Sequence, residues 1–115
     1  MSADPSSPPF EIDVQEAAQA LAGADPPVLI DVRNPDEYET ARIAGSRLIP
    51  LPEFAAAVDG LEGLRDRPII VHCHHGGRSA RVVTYLREHG FPKARNLAGG
   101  IDAWSQAIDP NVPRY

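Results

Sequence analysis

The stretch VHCHHGGRS, residues 71–79, carries the only cysteine of a 115-residue chain. An apolar run leads into Cys73; His74, His75, Gly76, Gly77 and Arg78 follow, and Ser79 comes next. The thiolate, not the thiol, is the nucleophile. A cysteine with an ordinary pKa of about 8.5 is only a few per cent ionised at neutral pH, whereas one lowered to about 6 is mostly ionised. Two glycines let consecutive N–H groups turn toward one point, and a helix beginning after the turn adds its partial positive charge. Arg78 adds a full charge. These features favour an anion over Cys73, either the thiolate or a charged product formed on it. An inert buried cysteine needs neither glycines nor a cation around it.

Four kinds of chemistry compete for this loop: sulfur transfer, phosphate-ester hydrolysis, metal binding and inert partner binding. A metal site from His72, Cys73, His74 and His75 is disfavoured, because adjacent residues project in different directions and a closed zinc site needs four converging ligands. No metal or organic cofactor is expected. Net charge is −5, which gives nucleic acid no electrostatic hold, and the ten arginines form no basic run. One cysteine excludes an intramolecular disulfide. The start, MSADPSSPPF, lacks the basic and apolar pattern of a secretory signal, and no segment approaches the length of a membrane span. A cytoplasmic protein with a reduced thiol is the expectation.

The elements that must hold this loop can be read from periodicity. Residues 1–9, with Pro5, Pro8 and Pro9, read as a disordered lead-in to a domain over 10–115. Asp13 and Glu16 form a capping box for a helix from Val14 to Ala22. VLIDV (28–32) and PIIVHC (68–73) are short, apolar on consecutive positions, and so strands buried on both faces of a parallel sheet. Asn34 and Pro35 open a short helix, and EFAAAV (53–58) favours another. A helix from about Ser79 to Glu88 puts Ala80, Val83 and Leu86 on its core face and stops near Gly90. ARNLAGG gives a last strand and turn, then IDAWSQAI a final helix with Trp104 in the core. Strands alternating with helices define an α/β domain, its mostly parallel central sheet flanked by helices on both faces. Ligands of such sheets bind beyond the carboxyl ends of the strands, which is where Cys73 falls. Asp31 and Arg33 end the first buried strand near the same rim and read as supporting residues. Glu37 reads as a partner for an arginine or a cap for the short helix, and Ser79 as a cap hydroxyl within reach of the thiolate, which places it with residues 74–78 among the substrate-binding residues.

CHHGGR resembles the active-site loop of the rhodanese family, in which a cysteine opens a six-residue loop. LIDVRNPDEYETARIAGSRLIP (29–50) and NLAGGIDAW (96–104) are similar to the family's two other hallmarks, and they occur in the family's order. The resemblance implies a rhodanese-like fold and transfer of sulfane sulfur. Cys73 would carry a persulfide, and residues 74–78 would cradle it with their N–H groups. A small-molecule sulfur donor, and a thiol, cyanide or sulfur-carrier acceptor, follow as partners. The related dual-specificity phosphatases also close their loop with arginine, but one residue later. The shorter loop here is better matched to one extra sulfur than to a phosphate.

The chain departs from many thiosulfate-using members, which place Arg or Lys after the cysteine. Histidine, with an ordinary pKa of about 6.5, supplies little charge at neutral pH, so thiosulfate is expected to be a poor donor. The tail IDPNVPRY resembles that of rhodanese-like domains joined to the adenylating enzymes of molybdopterin and thiamine biosynthesis, which implies a freestanding relative of those domains. The tail is expected to pack on the sheet through Val112 and Tyr115.

Overall fold

The computed structural model describes residues 7–115. Six of the nine lead-in residues thus lie outside the described residues, while the Pro8 and Pro9 carbonyls accept hydrogen bonds from Arg87 and Arg95. The elements run β1 (Glu11–Ile12), α1 (Val14–Leu21), β2 (Val28–Asp31), α2 (Pro35–Thr40), β3 (Arg47–Leu48), α3 (Phe54–Ala57), β4 (Ile69–His72), α4 (Gly77–Glu88), β5 (Ala94–Leu97) and α5 (Gly100–Ala107). Short 3₁₀ turns flank α3 at Leu51–Glu53 and Val58–Leu64. The sheet order is β1-β5-β4-β2-β3, and its four strand pairings are parallel.

The consecutive apolar residues of β2 and β4 are explained by the two-residue period of a strand between two cores. Ile30, Val32, Ile69, Val71 and Cys73 pack with Phe54, Val82, Val83, Leu86 and Phe91 on one side. Leu29, Ile70 and Leu97 pack with Ile12, Val14, Ala17, Ile101 and Trp104 on the other. Cys73 thereby continues the face that α4 covers. Asp31 and His72 sit side by side in register one step out of phase with it.

Three expectations are corrected in detail. The Asp13 carboxylate accepts the Glu16 N–H at 2.7 Å, but the Glu16 side chain pairs with Arg95 instead of returning to the cap, so only half a capping box forms. On α4 the core face is Ser79, Val82, Val83 and Leu86; Ala80 lies at its half-buried edge. The third concerns the helix start. Gly76 takes a left-handed φ of 116°, open to glycine, and its carbonyl accepts the Ala80 N–H at 3.0 Å. The helix therefore begins at Gly77, two residues before the expected Ser79, and its first turn is part of the loop.

Candidate active site

The Cys73 side chain is 1% exposed and closes one of the two cores. Its Sγ receives the Gly76 N–H at 3.1 Å, the Ser79 N–H at 3.4 Å and the Ser79 hydroxyl at 3.4 Å. Burial pushes the thiol up. The Ser79 hydroxyl and N–H, with the N–H groups of Gly76 and Arg78, more than offset it, and Cys73 titrates below an ordinary thiol. The donors are those of a helix N-terminus folded back on the sulfur; within residues 74–78 it is Gly76 whose N–H hydrogen-bonds to Sγ, and Ser79 lies just beyond that span. Ser79 is not a cap: it is fully buried in the first turn of α4 and faces the sulfur.

The first half of the loop is held from behind. The α5 N–H groups of Ile101 and Asp102 donate to the Cys73 and His74 carbonyls at 2.9 and 3.1 Å. So close an approach requires Gly100, at φ 61°: a Cβ there would stand 2.5 Å from each of those two carbonyl oxygens. That contact is the physical reason for the second glycine of the pair in NLAGGIDAW, while a Cβ on the first, Gly99, would stand 2.6 Å from the Ala103 Cβ.

The Arg78 guanidinium makes no hydrogen bond to the sulfur among the described residues, though the Cys73 charge is close enough to favour its protonated form. It grips Glu37 of α2 through two hydrogen bonds of 2.7 and 3.0 Å. Those bonds, against a smaller effect of burial and with help from the Asn34 N–H and Tyr115, lower Glu37 to about 2. Glu37 thus plays both roles read for it, partner of an arginine and acceptor of the Asn34 N–H at 3.0 Å. Its charge offsets that of Arg78 at the loop mouth. His74 is pushed below its ordinary value by burial and by the adjacent His75, which leaves it neutral at pH 7. His75 is two-thirds exposed, with Nε2 3.7 Å from Asp102.

Asp31 and Arg33 are both fully buried and pair at 2.7 Å. Arg33 also donates to the carbonyls of Glu37 and Ala41 and to the Tyr115 hydroxyl. These bonds tie the end of β2 to α2 and to the C-terminal tail. Tyr115 departs from the expected packing on the sheet. Val112 is buried, but the Tyr115 ring stacks on His74 at 4.2 Å and its hydroxyl donates to Glu37 at 2.8 Å. His74 in turn stacks on His75 at 4.0 Å, so three rings wall one side of the loop mouth.

Ligand atoms of His74, His75 and Asp102 lie within 4.8 Å of one another. The stacked rings set their in-plane lone pairs side by side instead of converging, and Asp102 already accepts from Arg114 and Gln106. The set as folded is not a closed coordination sphere.

His72 is buried as expected, but its Nε2 lacks a hydrogen-bond partner among the described residues and lies 3.7 Å from Asp31. Burial, opposed by Asp31, lowers it to about 4. The folded protein therefore resists protonation that the unfolded chain accepts at about 6.5. The stability this supplies is complete above pH 6.5 and is lost as pH falls from 6.5 to 4. We expect His72→Val to remove about 3 kcal/mol of acid sensitivity in that window. Urea unfolding at pH 7 and pH 4.5 should show the wild type losing more stability than the variant; equal losses would contradict the assignment.

Sequence reading missed Asn96, whose amide links Ser79 to Glu11, and the place of Tyr115 and Asp102 at the mouth. Asn96 offered one signal, a polar residue inside a buried strand.

A parallel α/β sheet with helices on both faces carries a hydrogen-bonded cysteine at a strand end, under a helix N-terminus. The model of the rhodanese-like domain matches residues 13–107, and the chain belongs to that family. It is 35% identical over 100 residues to thiosulfate sulfurtransferase GlpE of Stutzerimonas stutzeri, covering 84% of this chain and 86% of that one. It is 34% identical over 109 residues to adenylyltransferase and sulfurtransferase MOCS3-2 of Zea mays, covering 90% of this chain. The chain spans less than a third of the length of such multidomain relatives. Among solved structures, a rhodanese-related protein of Thermoplasma volcanium superposes with a TM-score of 0.76 at 30% identity, covering 91% of this chain and 96% of that one. Among the described residues no helix is long and apolar enough to cross a membrane.

Proposed function

We infer that the protein is a sulfurtransferase that carries sulfane sulfur as a persulfide on Cys73. The observation that supports this most directly is the near-buried sulfur facing the Gly76 N–H, the Ser79 N–H and the Ser79 hydroxyl. In the loading step the Cys73 thiolate attacks the outer sulfur of the donor. A sulfur–sulfur bond forms to Cys73, the donor's own bond to that sulfur breaks, and the electron pair leaves with sulfite or with a thiolate. The product is again a single negative charge, now one atom further out. In the second step cyanide or a thiolate, of a small molecule or of an acceptor protein, attacks the outer sulfur, the bond between that sulfur and Cys73 breaks, and its electron pair restores the Cys73 thiolate. Charge balances in both steps, and neither needs a metal or an organic cofactor. A reduced thiol suits a cytoplasmic setting. The direct test is intact mass after incubation with thiosulfate or a low-molecular persulfide: one sulfur should be gained, and cyanide or dithiothreitol should remove it.

A non-catalytic module that binds a partner or senses oxidants is the alternative, and the commitment of Arg78 to Glu37 favours it. Repeated turnover with cyanide separates the two.

Thiosulfate should be the weaker donor. Arg78 is neutralised by Glu37 and His74 is uncharged at pH 7, so a dianion meets little positive charge at the mouth. We expect His75→Lys to lower KM for thiosulfate a few-fold while leaving kcat almost unchanged. Exposure of position 75 and the carboxylate of Asp102 hold the gain to that size. Steady-state thiosulfate:cyanide kinetics of both proteins decide it, and an unchanged or higher KM would exclude position 75 from donor selection.

A further inference from the structure

Behind the sulfur runs a chain of side chains that the transfer steps above do not use. The Ser79 hydroxyl has one proton and three acceptors within reach: Asn96 Oδ1 at 2.5 Å, the Gly76 carbonyl at 3.3 Å and Cys73 Sγ at 3.4 Å. The Asn96 amide is 3% exposed, and its orientation is fixed because its Nδ2 donates both to the Gly76 carbonyl at 3.2 Å and to Glu11 Oε2 at 2.7 Å. Its oxygen can therefore only face Ser79. Glu11 lies on β1, beside Asn96 in register, so the edge strand brings a carboxylate to the far end of the line.

One proton cannot serve Asn96 and the sulfur together. We propose that Asn96, backed by Glu11, is a positioning residue that competes with Cys73 for the Ser79 hydroxyl proton. Ser79 donates to Asn96 while Cys73 is a thiol and swings to donate to the sulfur once it is an anion. Asn96 thereby sets how much the hydroxyl stabilises a charged sulfur. A carboxylate on Nδ2 polarises the amide and makes Oδ1 the stronger competitor. The other charged and titratable groups around Cys73 are Arg78 and His74 of the loop, Glu37 of α2 behind Arg78, His72 of β4 and Tyr115 of the tail. None of them touches Ser79 or Asn96 among the hydrogen bonds of the described residues.

The consequence for the persulfide rests on the sulfur-transfer reading. The free thiol tests the relay without it, so the two can fail separately. The experiment is titration of Cys73 by its ultraviolet thiolate absorbance in the full chain, with Asn96→Leu made both alone and in a Ser79→Ala background. Freed from its competitor, the hydroxyl should donate to the sulfur unopposed, and the midpoint should fall by about half a pH unit to one pH unit. In the Ser79→Ala background the same change should shift nothing. An equal shift in both backgrounds, or none in either, overturns the relay in favour of a packing role for Asn96. Should Asn96→Leu fail to fold by circular dichroism, the exposed Glu11→Gln decides in its place. It should give a smaller fall that vanishes without Ser79, and a fall that persists there, or no fall at all, overturns the proposal.

Discussion

Cys73→Ser is expected to leave the protein unable to take up sulfur from any donor, with turnover lower by on the order of 10⁴-fold or more, as for loss of a nucleophile elsewhere. The substitution is nearly isosteric at a site 1% exposed, and the Gly76 and Ser79 N–H groups can still donate to the new oxygen. Folding should therefore survive. What is lost is the low-pKa sulfur: a serine hydroxyl stays protonated in the same cradle and forms no bond to sulfane sulfur. The measurement is intact mass with thiosulfate and with a persulfide, beside circular dichroism to show the variant folded. Cys73 is the only cysteine of the chain, so sulfur retained by the serine variant would mean that it is bound without a thiol and would remove the mechanism.

Asp31→Ala is expected to be the most damaging single change to stability. Asp31 and Arg33 are fully buried, and Asp31 accepts from Nε and Nη2 of Arg33 between 2.7 and 3.1 Å. Removing one partner leaves a guanidinium charge without its counter-ion in the interior, a cost of about 3–5 kcal/mol. Against a typical total of about 5–15 kcal/mol, that lowers the thermal midpoint by about 10 to 20 °C. Replacing both residues with apolar ones, Asp31→Leu with Arg33→Met, should recover part of the loss, because the charge itself is gone. Recovery is partial because the carbonyls of Glu37 and Ala41 and the Tyr115 hydroxyl lose their donor. Thermal unfolding of the single and double variants tests this, and a double variant no better than the single would show that these other bonds dominate.

Much of this arrangement was legible in local sequence. The buried strands around Leu29 and Ile70 announced themselves by consecutive apolar residues, and Cys73 with Gly76 and Gly77 by chemistry that ordinary cores do not need. β1 and β3 were not legible, because each is two residues long and owes its place to a neighbour strand rather than to a pattern of its own. The same limit hid Glu11 and Asn96: their meeting depends on pairing across 85 residues. Arg78 is legible as a cation, but its orientation depends on where α2 delivers Glu37. The position of Tyr115 over His74 likewise depends on how the tail crosses the domain, which no spacing rule conveys.

The grip of α5 on the carbonyls of Cys73 and His74 has a consequence for the proposed sulfur transfer in both directions. A charge appearing in water has to turn the surrounding dipoles, and that work is repeated each time the charge moves. Here the peptide planes at the start of the loop cannot flip, since their oxygens are tied to Ile101 and Asp102, and those at its end are fixed by the first turn of α4. The second half of the loop, whose Gly76 and Ser79 N–H groups face the sulfur, behaves as a solvent shell frozen in the orientation that a negative sulfur requires, its dipoles set during folding and not during the reaction. In the two-step transfer proposed above, loading and unloading would then differ little in reorganisation, because the same fixed dipoles would face a single negative charge before, between and after the two steps.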